Sequence, residues 1–496
     1  MAQQNNSMCN YIYIFLALTS CLFAAPKTPN VIVFYTDDQG YGDCSLLNSE
    51  AKFQTPHMDR IGQEGIVYTD GHSSDGVCSP SRYSLITGRY SWRTYLKKGV
   101  MKSDSQPLIA NDRTTLAGLF KRNGYQTAMV GKWHMGMTFS EDGEKILDGP
   151  INKGFDYYYG IPASMNYGYC AWYEMDTTPV APILYTKKKP NKMALSDYRV
   201  MPPYSETKEG FNMRVAADFK DIDALKNFTE KAKAYISKVH SSDQPFFLYM
   251  PLTSPHKPVV PQERFRGKSE AGAYGDFMIE TDYWIGEIIK ILEEYDIYKD
   301  TMLVLSSDNG PEKTYSKRME LYKHDSAEQF LGGKRDIYEG GHRVPFLISW
   351  PNGIKGGQTY DSPVNQTDLF ATFADMLGDT LQGNEAEDSH SFASSFKGES
   401  HPSSPMLHHS SAGGFAIRRD DWKLVLGTGN QAKANKKNEM ELYNLKQDPR
   451  EEKNLFKEKP ELAKELKTLA TEIITSGKTR KEANTENDSP VKVWWN

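Results

Sequence analysis

The sequence predicts an α/β protein: a large domain on a mostly parallel sheet flanked by helices, then a small antiparallel sheet with one helix. Three observations carry this. Short β-branched apolar runs end abruptly in polar residues, as in PNVIVFYTDDQG, QPFFLYMPLTSPH and TMLVLSSDNG, the pattern of strands covered on both faces. Helical stretches separate them: TTLAGLFKRNGY, DALKNFTEKAKAYISKV and FMIETDYWIGEIIKILEEY. A polar, turn-rich segment around 380–405 then gives way to GFAIRRDDWKLVLG and ELYNL, followed by the amphipathic KPELAKELKTLATEIITSG.

Taken in order, the chain opens with YIYIFLALTSCLFAA, an apolar run of signal-peptide length, so residues 1–25 are expected to be a cleaved export leader. Its Leu18-Thr19-Ser20-Cys21 resembles a bacterial lipobox, which leaves a lipid anchor through Cys21 open and places the protein in the periplasm, on the outer membrane or outside the cell. The large domain is expected over 28–385, with an excursion lacking periodicity near 175–210. The small subdomain follows over 400–480, and residues 481–496 are expected to fray.

Composition narrows the function. With 39% hydrophobic and 25% charged residues the chain is globular. A net charge of -5 provides no basic footprint for nucleic acid, so an anionic ligand must be held by a local cluster of cations. Without the leader only Cys44, Cys78 and Cys170 remain. At most one bridge, Cys44 with Cys170, can form, and Cys78 stays unpaired.

Asp37-Asp38 and Asp308-Asn309 each follow a buried strand, so both pairs fall where ligands bind in open parallel sheets, at the carboxyl edge. Each pair alone reads first as a helix cap or turn. Together they offer four oxygen donors and three negative charges, a set suited to Ca²⁺ or Mg²⁺. Cys78 and Arg82, in CSPSRYSLITG, share one face at a helix start with Pro80 in its first turn. GKWHMG places Lys132 and His134 after another strand, SPHKP supplies His256, and GGKRDIYEGGHRVP sets Lys334 in a Gly-rich turn. Two lysines, an arginine, two histidines and a cation form a pocket for a compact oxyanion.

These strings, with TDDQGYGD at the start, resemble the formylglycine-dependent type I sulfatases of the alkaline phosphatase superfamily, over about 30 to 475 and in the family's order. Within that family the chain is similar to the arylsulfatase A and N-acetylgalactosamine-6-sulfatase branch, especially bacterial exo-sulfatases. The resemblance implies an alkaline-phosphatase-like fold and the oxidation of Cys78 by a maturation enzyme to Cα-formylglycine (3-oxoalanine), whose hydrate attacks sulfur. Asp37, Asp38, Asp308 and Asn309, with the modified Cys78, would hold the cation, Ca²⁺ ahead of Mg²⁺. Lys132 and Lys334 would bind the sulfate oxygens. His256 would protonate the leaving oxygen, and His134 would take the proton whose removal expels sulfate and restores the aldehyde. Arg82 would hold the hydrate, and Ser164, in GIPASMNYGYC, matches a sulfate-binding serine of the branch.

The expected substrate is a sulfated carbohydrate, with 6-sulfate of galactose or N-acetylgalactosamine favoured by SRYSLITGRYSWRTYLKKGV. Tyr157, Tyr158, Tyr159, Tyr167, Tyr169, Trp172 and Tyr173 offer either sugar-stacking faces or ordinary core. His408 and His409 read as a surface turn or as a reach over the pocket. A phosphodiesterase or phosphonate monoester hydrolase, and a catalytically silent glycan binder, are the competing functions.

Overall fold

The computed structural model describes residues 28–186, 204–205, 213–400, 403–427 and 439–495. The expected leader, Cys21 and residues 187–203 and 206–210 of the excursion lie outside the described residues. Part of that excursion pairs into a small sheet, Leu184–Thr186 lying between Tyr204–Ser205 and Met213–Val215.

Nine strands form the central sheet: β1 (Asn30–Asp37), β2 (Ile66–Tyr68), β3 (Gln126–Lys132), β4 (Tyr157–Ile161), β5 (Tyr173–Glu174), β6 (Phe246–Pro255), β7 (Thr301–Ser307), β8 (Phe346–Ser349) and β9 (Gln358–Tyr360). Their spatial order is β9-β2-β8-β7-β1-β6-β3-β4-β5, and only β8 and β5 run against the rest. The sheet is thus mostly parallel, as the apolar runs predict. Six helices flank it: α1 (Pro56–Gln63), α2 (Cys78–Thr87), α3 (Leu116–Arg122), α4 (Ala224–Val239), α5 (Gly272–Glu294) and α6 (Leu369–Leu377).

Adjacent residues on a strand point to opposite faces, and β6 shows what covers each. Phe247 stacks on Phe120 of α3 at 4.3 Å, and Phe120 in turn meets Phe373 of α6. Phe246 takes the edge of Tyr235 from α4, which packs beside α5 on the other face. Helix α2 differs from its neighbours. Its sequence CSPSRYSLIT has no apolar stripe, because all of its residues are buried and every face has a partner.

The small subdomain is an antiparallel sheet of β10 (Met406–His409), β11 (Phe415–Arg419), β12 (Trp422–Val425) and β13 (Glu441–Asn444), with α7 (Pro460–Ser476) upon it. Phe415 and Ile417 of β11 pack in the cluster that holds Leu466 and Ile474 of α7. The intervening Ala416, with Val425 and Tyr443, packs on Ile337 and Tyr338 of the large domain. One strand therefore faces two cores, with the period of two that its sequence carries.

Two expectations are corrected here. Residues 481–495 do not fray. Arg89 holds the Asp488 carboxylate at 2.9 and 3.1 Å, Arg93 donates to Asn487 at 3.0 Å, and Lys97 reaches the Ser489 carbonyl at 3.0 Å. Trp495 is buried beside Phe415. Nor do His408 and His409 form a surface turn. Both are buried in β10, His408 stacked on His342 at 3.7 Å and His409 bonded through Nδ1 to Asp75 at 2.9 Å. Cys44, Cys78 and Cys170 are all free and buried.

Candidate active site

The central strand β1 has parallel neighbours on both sides, β6 and β7, and its tip collects the site. Asp37 ends β1, and Asp38 follows with φ 68°, a left-handed conformation that costs a non-glycine residue about 1 kcal/mol or more. Asp308 and Asn309 follow β7, and the Asp38 N–H donates to Asp308 Oδ1 at 3.1 Å, tying the two tips together. Gly310 is required where it stands, because a Cβ there would lie 1.9 Å from the Gly340 carbonyl oxygen. Lys132 ends β3, His134 lies two residues on at φ 61°, and His256 follows β6.

Cys78 is the first residue of α2, and Arg82 lies one turn later on the same face. The guanidinium donates to Asp308 Oδ2 from Nε at 3.0 Å and Nη2 at 2.7 Å, and from Nη1 to the Lys132 carbonyl at 3.1 Å. Lys132 Nζ sits 2.5 Å from Asp37 Oδ2, and Lys334 Nζ sits 2.5 Å from Asp38 Oδ1. The fully buried ring thus sets three carboxylates against three permanent cations, which is what makes burial of so much charge tolerable.

One side of this ring is left open to a ligand. Asp37 Oδ1, Asp38 Oδ2 and Asn309 Oδ1 are buried without a hydrogen-bond partner. Donor atoms of Asp37, Asp38, Cys78 and Asp308 lie within 4.8 Å of one another. Buried orphan oxygens of this kind are costly, and the oxygens of Asp37, Asp38, Asp308 and Asn309 fit a hard divalent cation. Among the described residues, His72, His342 and His408 also bring ring nitrogens close together. There the rings of His342 and His408 stack nearly parallel, at 8°, so their in-plane lone pairs do not converge on one point.

Burial and Asp308 push the Cys78 thiol up to about 12. An unmodified Cys78 is therefore protonated at neutral pH and is no ready nucleophile. Burial and the Asp37 charge raise Asp308 to about 6. Burial also acts on Asp38, but Lys334 and His256 hold it well below the usual carboxylate range. Burial and Lys334 bring His256 down to about 3, and burial with Lys132 and Arg82 holds His134 well below its ordinary value. Both imidazoles are neutral in this environment.

Their tautomers follow from their partners. His134 Nε2 faces the Met101 carbonyl at 3.0 Å, which can only accept, so Nε2 carries the hydrogen and the buried, unpartnered Nδ1 carries the lone pair. Met101 is fixed in turn by its N–H, which donates to Ser79 Oγ beside Cys78 at 3.0 Å. His256 Nδ1 lies 2.6 Å from the Lys257 carbonyl, leaving Nε2 toward Asp38 Oδ2 at 3.8 Å.

The metal, lysine and arginine candidates, with His134 and His256, are thus gathered at one strand edge, whereas His408 and His409 lie in β10. Ser164 stands beyond β4, buried with its Oγ beside the Tyr167 hydroxyl. The aromatic run mostly builds core: Tyr158 and Tyr173 are buried, and Tyr159 stacks on Trp172 at 6.1 Å. Tyr167 is the exception, its hydroxyl meeting His134 Nε2. Sequence reasoning missed the Met101 carbonyl, which no side-chain motif can reveal. It also missed Glu312 and Arg335, an ion pair at 2.6 and 3.0 Å.

The mostly parallel sheet and its acidic, cation-lined edge agree with the alkaline-phosphatase-like fold that the sequence motifs imply, and the family comparisons carry the assignment. A family model described as Sulfatase matches residues 29–379, and another, N-sulphoglucosamine sulphohydrolase, C-terminal, matches residues 328–478. The chain belongs to the sulfatase family, as a type I sulfatase, and is a sulfuric ester hydrolase. It is 30% identical over 490 residues to N-acetylgalactosamine-6-O-sulfatase of Bacteroides thetaiotaomicron, spanning 92% of this chain and 94% of the relative. With N-acetylgalactosamine-6-sulfatase of Mus musculus it shares 29% identity, spanning 74% and 66% of the two chains. A solved Bacteroides thetaiotaomicron 6S-sulf structure, from work on the metabolism of multiple glycosaminoglycans, superposes with a TM-score of 0.78 at 28% identity, over 90% and 99% of the chains. Phosphonate monoester hydrolase of Agrobacterium radiobacter shares the fold at a TM-score of 0.58 and 18% identity, over 89% and 94%.

Proposed function

We propose that the enzyme removes O-sulfate from a sulfated carbohydrate, the 6-sulfate of galactose or N-acetylgalactosamine. What supports this most is the near full-length relation to an N-acetylgalactosamine-6-O-sulfatase, joined to an acidic cluster that includes Cys78. Oxidised by a maturation enzyme to a hydrated formylglycine, position 78 would supply the attacking hydroxyl, and Ca²⁺ held by Asp37, Asp38, Asp308 and Asn309 would polarise a sulfate oxygen. The protonated thiol state of unmodified Cys78 is in keeping with a need for that conversion.

The chain's own groups do the rest. Lys132 and Lys334 take the sulfate oxygens, with Ser164 as a further donor, and spread charge as it develops. Arg82, fixed by Asp308, holds the position-78 oxygens. His256 delivers a proton to the leaving sugar oxygen from Nε2. Burial and Lys334 keep that nitrogen unprotonated, and an entering sulfate anion opposes both, so the proton is taken up with the substrate. His134 accepts a proton at Nδ1, the nitrogen that the Met101 carbonyl leaves free. The leader supports export, either soluble or held by lipid on Cys21.

Mass spectrometry of the peptide bearing Cys78, from protein made in its native host, is expected to give an aldehyde in place of a thiol. A panel of sugars sulfated at single known positions is expected to yield turnover at position 6. An intact sulfhydryl in fully active enzyme would refute the proposal. Faster cleavage of an aryl phosphodiester than of an aryl sulfate would favour the phosphodiesterase reading instead.

A further inference from the structure

A second ring of charge lies just outside the first. Asn309, His256 and Lys334 belong to the inner ring and are almost fully buried. Slightly further along the same three segments come Glu312, Lys257 and Arg335, and these three side chains meet. Arg335 clasps Glu312 with both terminal nitrogens, at 2.6 and 3.0 Å, and Lys257 Nζ lies 3.7 Å from the same carboxylate. Their side chains are 32%, 20% and 42% exposed for Arg335, Glu312 and Lys257, so exposure rises in one step from the inner ring to the outer. Lys334, next to Arg335, holds Asp38, and its N–H donates to the Pro311 carbonyl beside Glu312 at 2.8 Å, which places the pair over the site, where both side chains feel the Asp38 charge.

The backbone at Arg335 is the second observation. Its φ is 86°, a region that favours glycine, in a turn already rich in glycine. The turn is pinned there from two sides: the Arg335 N–H donates to the Gly76 carbonyl at 2.7 Å, and its own carbonyl accepts from Ser411 at 3.3 Å. A partly exposed ion pair contributes little to stability, while a side chain in this conformation carries a cost. Stability alone therefore gives no reason for an arginine at this position.

We infer that Glu312 and Arg335 form the subsite that reads the sugar ring, hydrogen-bonding a pair of neighbouring hydroxyls on the residue that carries the sulfate. This rests on the proposed assignment of the sulfate to the inner ring and of the leaving oxygen to His256. With the leaving oxygen at His256, the ring attached to it lies against the residues that follow His256 and Lys334. A carboxylate clasped by a guanidinium presents acceptor and donor side by side in fixed geometry, which matches two adjacent hydroxyls.

The test compares matured wild-type enzyme with Arg335→Gly and Glu312→Gln, on N-acetylgalactosamine 6-sulfate and on an aryl sulfate, which has no ring hydroxyls. Thermal stability is followed in parallel. Both variants are expected to lose at least about tenfold more kcat/KM on the sugar sulfate than on the aryl sulfate. Arg335→Gly is expected to melt at the same temperature or higher, because glycine relieves the backbone. Equal losses on the two substrates, or an Arg335→Gly variant that simply melts earlier, would mark the pair as a structural staple and overturn the inference alone. A wild-type enzyme that cleaves the aryl sulfate and no sugar 6-sulfate would overturn the substrate assignment beneath it, and this inference with it.

Discussion

At the scale of single residues, the division of labour between the two histidines has a direct consequence. His256→Ala is expected to slow an alkyl or sugar sulfate by two orders of magnitude or so, and an aryl sulfate far less, because a phenolate leaves without help. Comparable losses on both would remove its role as acid. The orphan oxygens of Asp37, Asp38 and Asn309 make a second case. Stripping divalent cations with a chelator should abolish turnover and lower the melting temperature, and excess Ca²⁺ should restore both. A cation present at a hundredfold its dissociation constant stabilises by about 2.7 kcal/mol. A melting curve indifferent to chelator would contradict the cation assignment. The aspartates, Asn309, Lys132 and the two site histidines were legible in the sequence because each ends or follows a buried strand, while Cys78 and Arg82 showed in the CSPSR string and Lys334 in a Gly-rich turn. The Met101 carbonyl and the Glu312–Arg335 pair were not, since one is backbone and the other joins segments 23 positions apart.

At the scale of elements, the buried strands announce themselves by composition, whereas α2 does not, because its surroundings rather than its own periodicity decide its burial. Close backbone approach is equally silent in sequence. Gly310→Ala must push the Gly340 carbonyl away from a contact of 1.9 Å, and this displaces Asp308 and Asn309. A loss of more than about 2 kcal/mol is expected by chemical denaturation, with activity lost as well. Asp368, just before α6, accepts from the backbone N–H of His390 at 2.8 Å and of Asn365 at 3.2 Å. Burial still pushes it up to about 7. The folded state therefore keeps a proton that the unfolded chain releases above its ordinary range near pH 4. Stability from this group is full below that range and declines as pH rises toward 7, by about 1.4 kcal/mol per unit. Asp368→Asn should flatten that slope in pH-dependent melting, and an unchanged slope would clear Asp368 of it.

At the scale of the molecule, alternation of strands and helices made the α/β class and the small antiparallel sheet readable. The behaviour of the C-terminus was not, because polar residues such as Asn487 and Asp488 reveal nothing about arginines some 400 positions earlier until both are placed. Removing residues 485–496 should leave Arg89 and Arg93 without these partners and uncover the cluster around Phe415 and Trp92. A lower melting temperature and increased binding of a hydrophobic dye are expected. A truncated protein that melts like the full chain would make the tail dispensable.

The loop that precedes Cys78 is closed by β10: the Gly76 N–H meets the His409 carbonyl at 3.1 Å, and the His409 N–H meets the Ser74 carbonyl at 3.2 Å. The clasp joins an early stretch of polypeptide to one synthesised more than three hundred residues afterwards. Until residues 406–409 have been made, a nascent chain cannot form that clasp. The wall of the loop before Cys78 is thus completed only once about four-fifths of the chain has been made, so a change in β10 acts on the catalytic edge from the far end of the sequence.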